Sequence, residues 1–256
     1  KKENTQNCQI MLFGQKQHKK QLRSFAQRSL FLELQSFGKN KKLWRWLKMY
    51  NLNEDLAEET GIHTGDGSMN IYNGVYCYTL ACHYIDDKEY MDNYIIPLYN
   101  RIYSIKIKAR LWSKGAYGFR IHNKEIVEFK NKVFNLPLGK KNNIEIPKQI
   151  LNKDCYKKAF LKGFIGTDGS VNTFLANKKK VYPRVEMCNV SKNLMSQING
   201  ILKSFGFRTS TWLIHRNHPR WQEEIRLTVN GFKMLKKWND LIGFNKPKQI
   251  RKLEQL

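Results

Sequence analysis

Acidic residues are scarce in this chain. Asp and Glu total 21 against 46 Lys and Arg, giving a net charge of +25 over 256 residues. A folded protein so charged repels itself, and a polyanion is the expected partner: DNA, RNA or an anionic membrane surface. Long apolar runs are also missing. None approaches the length of a bilayer-spanning helix, so no membrane span is expected. The opening KKENTQNCQI does not resemble a signal peptide, and the lack of an initial Met points to a trimmed chain. Cysteine is sparse and odd in number: Cys8, Cys77, Cys82, Cys155 and Cys188, with no C-x-x-C pair. That excludes a disulfide framework and a cysteine zinc site, and fits free thiols in an intracellular, reducing compartment such as the cytoplasm or an organelle matrix. Apolar residues at 41% and aromatics at 12% support a real core, enough for one large domain or two ordinary ones.

Residues 1–50 differ from the rest. They hold twelve basic residues and two acidic ones, Glu3 and Glu33. Arg23 to Phe37 has the pattern of an amphipathic helix. Lys39 to Tyr50 interleaves Lys41, Lys42, Arg45 and Lys48 with Trp44 and Trp46. This basic N-terminal extension reads either as a solvated helix with a docked Trp or as an extra arm on nucleic acid.

From Asn53 the pattern becomes regular. Asn53 is placed to cap a helix that runs to Gly65 and ends at Asp66-Gly67. Ser68 to Tyr72 and Val75 to Tyr84 flank Asn73-Gly74, the strongest short signal for a β-hairpin. Asp87 to Ser104 reads as a helix bent by Pro97. Ile105 to Trp112 alternates, with Ile105, Ile107, Ala109 and Leu111 on one face and Lys106, Lys108, Arg110 and Trp112 on the other, as in a strand with one buried and one basic face. Gly118 to His122 is a short strand, and Lys124 to Phe134 has helical spacing. The order α, β, β, α, β, β, α then recurs. Cys155 to Thr167 is a helix ended by Asp168-Gly169. Strands follow at Ser170 to Leu175 and, after a Lys178-Lys179-Lys180 loop, at Tyr182 to Val190. Ser191 caps a helix to Phe205, stopped by Gly206. Arg208 to Arg216 and Trp221 to Asn230 are a strand pair, and Phe232 to Ile242 is a helix. The expected fold is therefore α+β, with two pseudo-symmetric αββαββα repeats at residues 51–141 and 153–256, joined by a linker at 142–152.

Two segments occupy the same place in each repeat: Glu59-Thr-Gly-Ile-His-Thr-Gly-Asp66-Gly67 and Leu161-Lys-Gly-Phe-Ile-Gly-Thr-Asp168-Gly169. Each delivers one Asp at the end of a helix. The helix dipole is already negative there, so local stability does not explain the placement twice. A divalent cation does, being drawn both to carboxylates and to a negative helix end. Gly61 and Gly65 are four apart on one helix face, and Gly163 and Thr167 hold the equivalent positions. Small residues at that spacing let two helices pack backbone to backbone, which would bring Asp66 and Asp168 together. Two carboxylates so close repel unless cations bridge them, and a pair of them is a site for metal-assisted phosphodiester hydrolysis.

These segments, within the αββαββα repeat, resemble the two motifs of a single-chain LAGLIDADG homing endonuclease of the archaeal-intron kind. The resemblance covers roughly residues 53 to 250. The second motif matches better, through Leu161, Gly163, Ile165, Asp168 and Gly169. The first has Glu59 for the opening Leu and His63 for Ile, and keeps Gly61, Ile62, Asp66 and Gly67. The sixth motif position, usually Asp, is Thr64 in one and Gly166 in the other.

The resemblance implies a monomeric, site-specific double-strand DNA endonuclease for intron homing, dependent on Mg²⁺ or Mn²⁺. It assigns the metal to Asp66 and Asp168, with the preceding Gly65 and Thr167. It also implies a lysine near the end of each repeat that orders water and balances charge. Lys140, in Leu136-Pro-Leu-Gly-Lys140-Lys141, and Lys246, in Ile242-Gly-Phe-Asn-Lys246-Pro-Lys248, occupy that place. Basic strand faces fit the major groove. Lys106, Lys108, Arg110 and Arg120 would serve one half-site, and Arg184, Arg208, Arg216 and Arg226 the other. Two other readings stay open on the same fold: an RNA-binding maturase acting on intron RNA, and a DNA-binding protein without cleavage. His63 reads as a packed histidine. His215-Arg-Asn-His218 lies in an expected hairpin turn rather than a ββα-metal unit, so a His-Asn-His nuclease is not expected.

Overall fold

The computed structural model describes residues 46, 50–113, 115–176, 180–215 and 222–256. The sequence-derived helix at Arg23 to Phe37, the cluster around Trp44, most of the lysine loop, Arg216 and His218 lie outside the described residues. Trp46 and Tyr50 are described, and both are buried.

The first half opens with α1 (Glu54–Asp66). Asn53 starts it as expected: its side-chain Oδ1 accepts the Leu56 N–H at 2.9 Å. Strands β1 (Gly67–Tyr72) and β2 (Val75–His83) form the hairpin, with Asn73 at φ 48° and Gly74 at φ 79°. That pair of positive φ values is what the Asn-Gly turn supplies. The helix expected around Pro97 is three pieces: α2 (Tyr84–Tyr90), a π-turn at Met91–Ile95 and α3 (Ile96–Tyr103). The Ile96 N–H reaches back five residues to the Met91 carbonyl. Pro97 has no N–H to give, and the widened turn absorbs the loss.

The long alternating strand is a correction. Only β3 (Arg110–Ser113) pairs, and it is the outer strand of its sheet. Its pairing with β4 (Ala116–Ile121) begins where Arg110 lies opposite Gly118. Ahead of that point the Ile107 N–H goes to the Asn100 side chain at 2.8 Å. Alternation from Ile105 to Arg110 records one buried face, not a ladder. A bulge between Leu111 and Ser113 then turns Leu111 out to solvent. Helix α4 (Lys124–Phe134) closes the half, capped by Asn123.

The linker is not slack. Ile144, Ile146 and Ile150 are buried, and α5 (Lys148–Leu151) lies within it. The second half repeats the order: α6 (Asp154–Asp168), β5 (Gly169–Ala176), β6 (Lys180–Asn189), α7 (Lys192–Ser204), β7 (Thr209–Ile214), β8 (Glu224–Asn230) and α8 (Phe232–Leu241). A further helix, α9 (Pro247–Glu254), follows it. The two sheets are antiparallel, in orders β1-β2-β4-β3 and β5-β6-β8-β7, the same topology twice. Each sheet has one face toward the core, through Met69, Tyr78, Leu80 and Phe119 in the first and Val171, Val185, Met187, Leu227 and Val229 in the second. Four cysteines of the described part, Cys77, Cys82, Cys155 and Cys188, are free. No described helix is long and apolar enough to cross a membrane.

Candidate active site at the helix seam

The two motif helices α1 and α6 pack against each other at backbone distance. A Cβ on Gly61 would meet the Phe160 carbonyl oxygen at 2.1 Å, and one on Gly163 would meet the Glu58 carbonyl oxygen at 2.1 Å. One turn further along, a Cβ on Gly65 would meet Thr167 Oγ1 at 2.0 Å and the Asp168 carboxyl carbon at 3.3 Å. The small residues are therefore what brings the helices together, and the Asp168 carboxyl lies against the backbone of the residue preceding Asp66.

Burial makes this pair of acids costly. The Asp66 carboxyl is pushed up to about 7, first by loss of solvent and then by the Asp168 charge, against the pull of Lys141 and Lys246. Asp168 is raised too, by burial, and its rise is opposed by a hydrogen bond and by Lys141. The bond comes from Asn189 Nδ2 to Asp168 Oδ2 at 2.7 Å. Asn189 Oδ1 accepts the Ser191 N–H at 2.9 Å, which fixes the amide so that its nitrogen faces Asp168.

Of the two adjacent lysines after the first repeat, Lys140, the one expected at the site, is exposed, and Lys141 reaches the end of α1. Lys141 Nζ donates to the carbonyls of Thr64 at 3.0 Å, His63 at 3.3 Å and Gly65. Three ammonium protons thus meet three carbonyls at the negative end of α1. The Gly65 carbonyl, expected among metal ligands, is engaged by this ammonium. Burial lowers Lys141, and Asp168 and Asp66 raise it. Thr167 Oγ1 donates to the Phe164 carbonyl at 3.1 Å.

The second half ends differently. The end of α6 is met by an uncharged group: Gln249 Nε2 donates to the α6 carbonyl of Ile165 at 2.7 Å and to that of Gly169, the first residue of β5, at 3.0 Å. Lys246 pairs instead with Asp87 of the first half at 2.7 Å, both nearly buried. Lys248–Asp86 at 2.6 Å and Arg251–Glu89 at 2.9 Å extend that clamp across the seam. Asp87, Asn189 and Gln249 were not expected at the site.

No group of three or more His, Cys, Asp or Glu among the described residues is arranged to hold a metal alone. Two half-buried carboxylates, with Asp66 raised in part by the Asp168 charge, nevertheless fit a hard divalent cation, which removes their repulsion and completes its shell with water or phosphate oxygen.

The basic residues divide into three groups. Lys106, Lys108, Arg110 and Arg120 are exposed, and among the described residues none forms an ion pair. Register places Arg110 and Arg120 on the sheet face away from the core, opposite Gly118 and Thr79. Arg184 and Arg226 share the equivalent face of the second sheet, but Glu186 lies 3.5 Å from one and 3.4 Å from the other. Arg184 is also stacked over Phe174 at 4.5 Å. Arg208, expected on the strand face, directly precedes β7 and lines a cleft with residues of α8.

Residues 156–243 match the family described as the LAGLIDADG-like domain. The fold of the described residues is the LAGLIDADG fold of the solved structures with which they align. A structure of I-DmoI in complex with DNA and Ca aligns at 17% identity over 79% of this chain and 98% of that one, with a TM-score of 0.56. Mesophilic variants of the homing endonuclease I-DmoI align at 16% over 74% and 95%, with a TM-score of 0.54. The LAGLIDADG meganuclease I-AabMI bound to uncleaved DNA aligns at 13% over 78% and 87%, with a TM-score of 0.52. No curated protein sequence matches the chain.

Proposed function

We propose that this chain is a divalent-metal-dependent endonuclease that cuts double-stranded DNA at a long specific site, as a monomer with internal pseudo-two-fold symmetry. One observation carries the reading: Asp66 and Asp168 end two helices that glycines hold at backbone contact, and burial with mutual repulsion raises Asp66 to about 7. Such an acid pair is poor for stability and suited to cations. A bound Mg²⁺ or Mn²⁺ would polarise the scissile phosphate and supply a hydroxide near neutral pH. Asp66 and Asp168 would hold it, and Asn189 keeps the Asp168 carboxylate aimed. Lys141 offsets negative charge at the seam through the α1 carbonyls. The outer sheet faces, with Arg110 and Arg120 on one side and Arg184 and Arg226 on the other, and the exposed Lys106 and Lys108 in the segment leading into β3, suit the phosphates and base edges of a duplex. Complexes of I-DmoI and I-AabMI with DNA support this use of the fold.

The test is cleavage of a randomised duplex library by the full chain in Mg²⁺, with the product ends sequenced. A single enriched site, uncut in EDTA, is expected. Absence of metal-dependent double-strand breaks would overturn the reading.

A further inference from the structure

A carboxylate stands on the basic face of the second sheet. Glu186 lies on β6, opposite Ser170 of β5 and Thr228 of β8. Its strand neighbours Val185 and Met187 are buried in the core, so its own side chain is on the outward face. The repeat supplies a comparison. Ser68 follows Asp66-Gly67 and pairs with Thr79, as Ser170 follows Asp168-Gly169 and pairs with Glu186. The place of Glu186 is thus held by a neutral threonine in the first half, and the sheet itself requires no acid there. On a chain of net charge +25 that meets a polyanion, an acid on the contact face weakens binding to every duplex. What it can add is discrimination between duplexes.

Its surroundings suit that use. Glu186 Oε2 lies 3.5 Å from Arg184 Nη1, and Oε1 lies 3.4 Å from Arg226 Nε. A closed charge-assisted pair measures about 2.8 Å, so both oxygens keep capacity for a further donor. Arg184 is held in turn. Its Nε donates to Asn230 Oδ1 at 2.9 Å, and its guanidinium lies 4.5 Å from the Phe174 ring and 5.8 Å from the Trp212 ring. A carboxylate positioned in this way loses little freedom on binding. In the major groove it can only accept. Guanine and thymine turn acceptors toward it, and adenine sets its N7 acceptor beside the N6 donor. Cytosine N4 is a donor with no acceptor beside it. The guanine paired with that cytosine presents O6 and N7, the acceptors that an arginine reads.

We propose that Glu186 is a specificity-determining residue: it accepts from cytosine N4 of one C·G pair, while Arg184 or Arg226 donates to the guanine of that pair. The inference rests on the duplex-cutting reading above and adds a base that the second half selects. Ser170, opposite Glu186, is two residues past Asp168, so this pair falls near the centre of the site.

The test selects bound duplexes from a randomised library with the full chain in EDTA, and repeats the selection with Glu186→Gln. The parent should require C·G at one position near the centre. The variant should prefer A·T there, because a carboxamide accepts from adenine N6 and donates to N7 together. Its affinity for the parent's site should fall about tenfold or more, and its affinity for unrelated duplex should rise as a negative charge is lost. The change is isosteric, and circular dichroism checks folding. Glu186→Asp keeps the charge but withdraws the carboxylate by one methylene, and it should lose the preference for C·G without gaining one for A·T. A residue that only holds two arginines apart would alter binding to all sequences alike. A parent that selects no C·G pair, identical base preferences in parent and Glu186→Gln, or an equal loss on every duplex would overturn the inference. Cleavage is not read in any arm, so failure here is distinct from failure of the nuclease reading.

Discussion

Gly61 and Gly163 hold the seam of this molecule: a methyl group on either would lie 2.1 Å from a carbonyl oxygen of the opposite helix. Backbone cannot yield as a flexible side chain can. Gly61→Leu should therefore destabilise the fold by roughly 1–3 kcal/mol through overpacking. It should also cost activity beyond the loss of folded protein, because a displacement of about 1 Å misaligns reacting groups. Denaturant unfolding, with cleavage normalised to folded protein, measures both. A stable, fully active Gly61→Leu would mean that the seam is not as close as described.

A second prediction concerns the departure of the first motif from the second. Glu59 stands where Leu161 stands in the second motif, and it is paired at 2.6 Å with Lys130 of α4, with both side chains fully buried. Lys130→Met alone should destabilise by about 3–5 kcal/mol, because it strands a buried carboxylate. Glu59→Leu together with Lys130→Met should recover most of that loss. A double-mutant cycle in urea checks the sign of the coupling; additive single losses would contradict it.

Lys141 and Lys140 give a contrast within one dipeptide. Lys141→Met should leave the α1 carbonyls and the nearby acids uncompensated and lower turnover by about tenfold or more. Lys140→Met, at an exposed position, should leave turnover near wild type. Single-turnover cleavage of both variants at saturating enzyme decides between them, and the reverse ranking would restore Lys140 to the site.

The raised acids make a pH prediction. The Asp66 carboxyl sits at about 7 in the folded chain against about 3.9 when unfolded. A raised pKa means that the folded state binds more protons, so this contribution to stability is complete below about pH 4. It is lost as pH rises through 7. The metal-free protein should thus lose stability between these limits through Asp66, with Asp168 acting in the same direction. A cation bound by the carboxylates displaces those protons, so the rise in melting temperature on adding Mn²⁺ should be larger at pH 8 than at pH 5.5. Asp66→Asn should flatten both trends. A metal shift independent of pH would argue that Mn²⁺ binds elsewhere.

Much of this fold is legible in the sequence because its signals are local. Asn53, Asn123 and Ser191 each accept from the N–H three residues on, and Asn73-Gly74 makes the turn its φ values demand. The doubled Gly-x-x-x-small spacing before each Asp predicts the seam, since small residues on one face have that one consequence for packing. Adjacent lysines carry no such signal. Whether Lys140 or Lys141 points inward depends on how the loop leaves Gly139, whose φ is 81°. Hydropathy alternation misleads at Ile105 to Arg110, because it reports burial and not which neighbour receives the hydrogen bonds. The clamp of Lys246, Lys248 and Arg251 on Asp87, Asp86 and Glu89 joins segments some 160 residues apart, and one sequence holds no record of that pairing. Asn189 and Gln249 read as ordinary polar residues until the helix ends they serve are in place.

The central claim is that Asp66 and Asp168 form one cation-dependent hydrolytic site. It is tested most directly by Asp66→Asn and Asp168→Asn, each assayed for cleavage of the selected duplex in Mg²⁺ and for binding of the same duplex. Both variants should lose double-strand cleavage and keep affinity within about tenfold of the parent, since neither carboxylate attracts DNA on its own. Turnover at the parent rate by either variant would contradict the account.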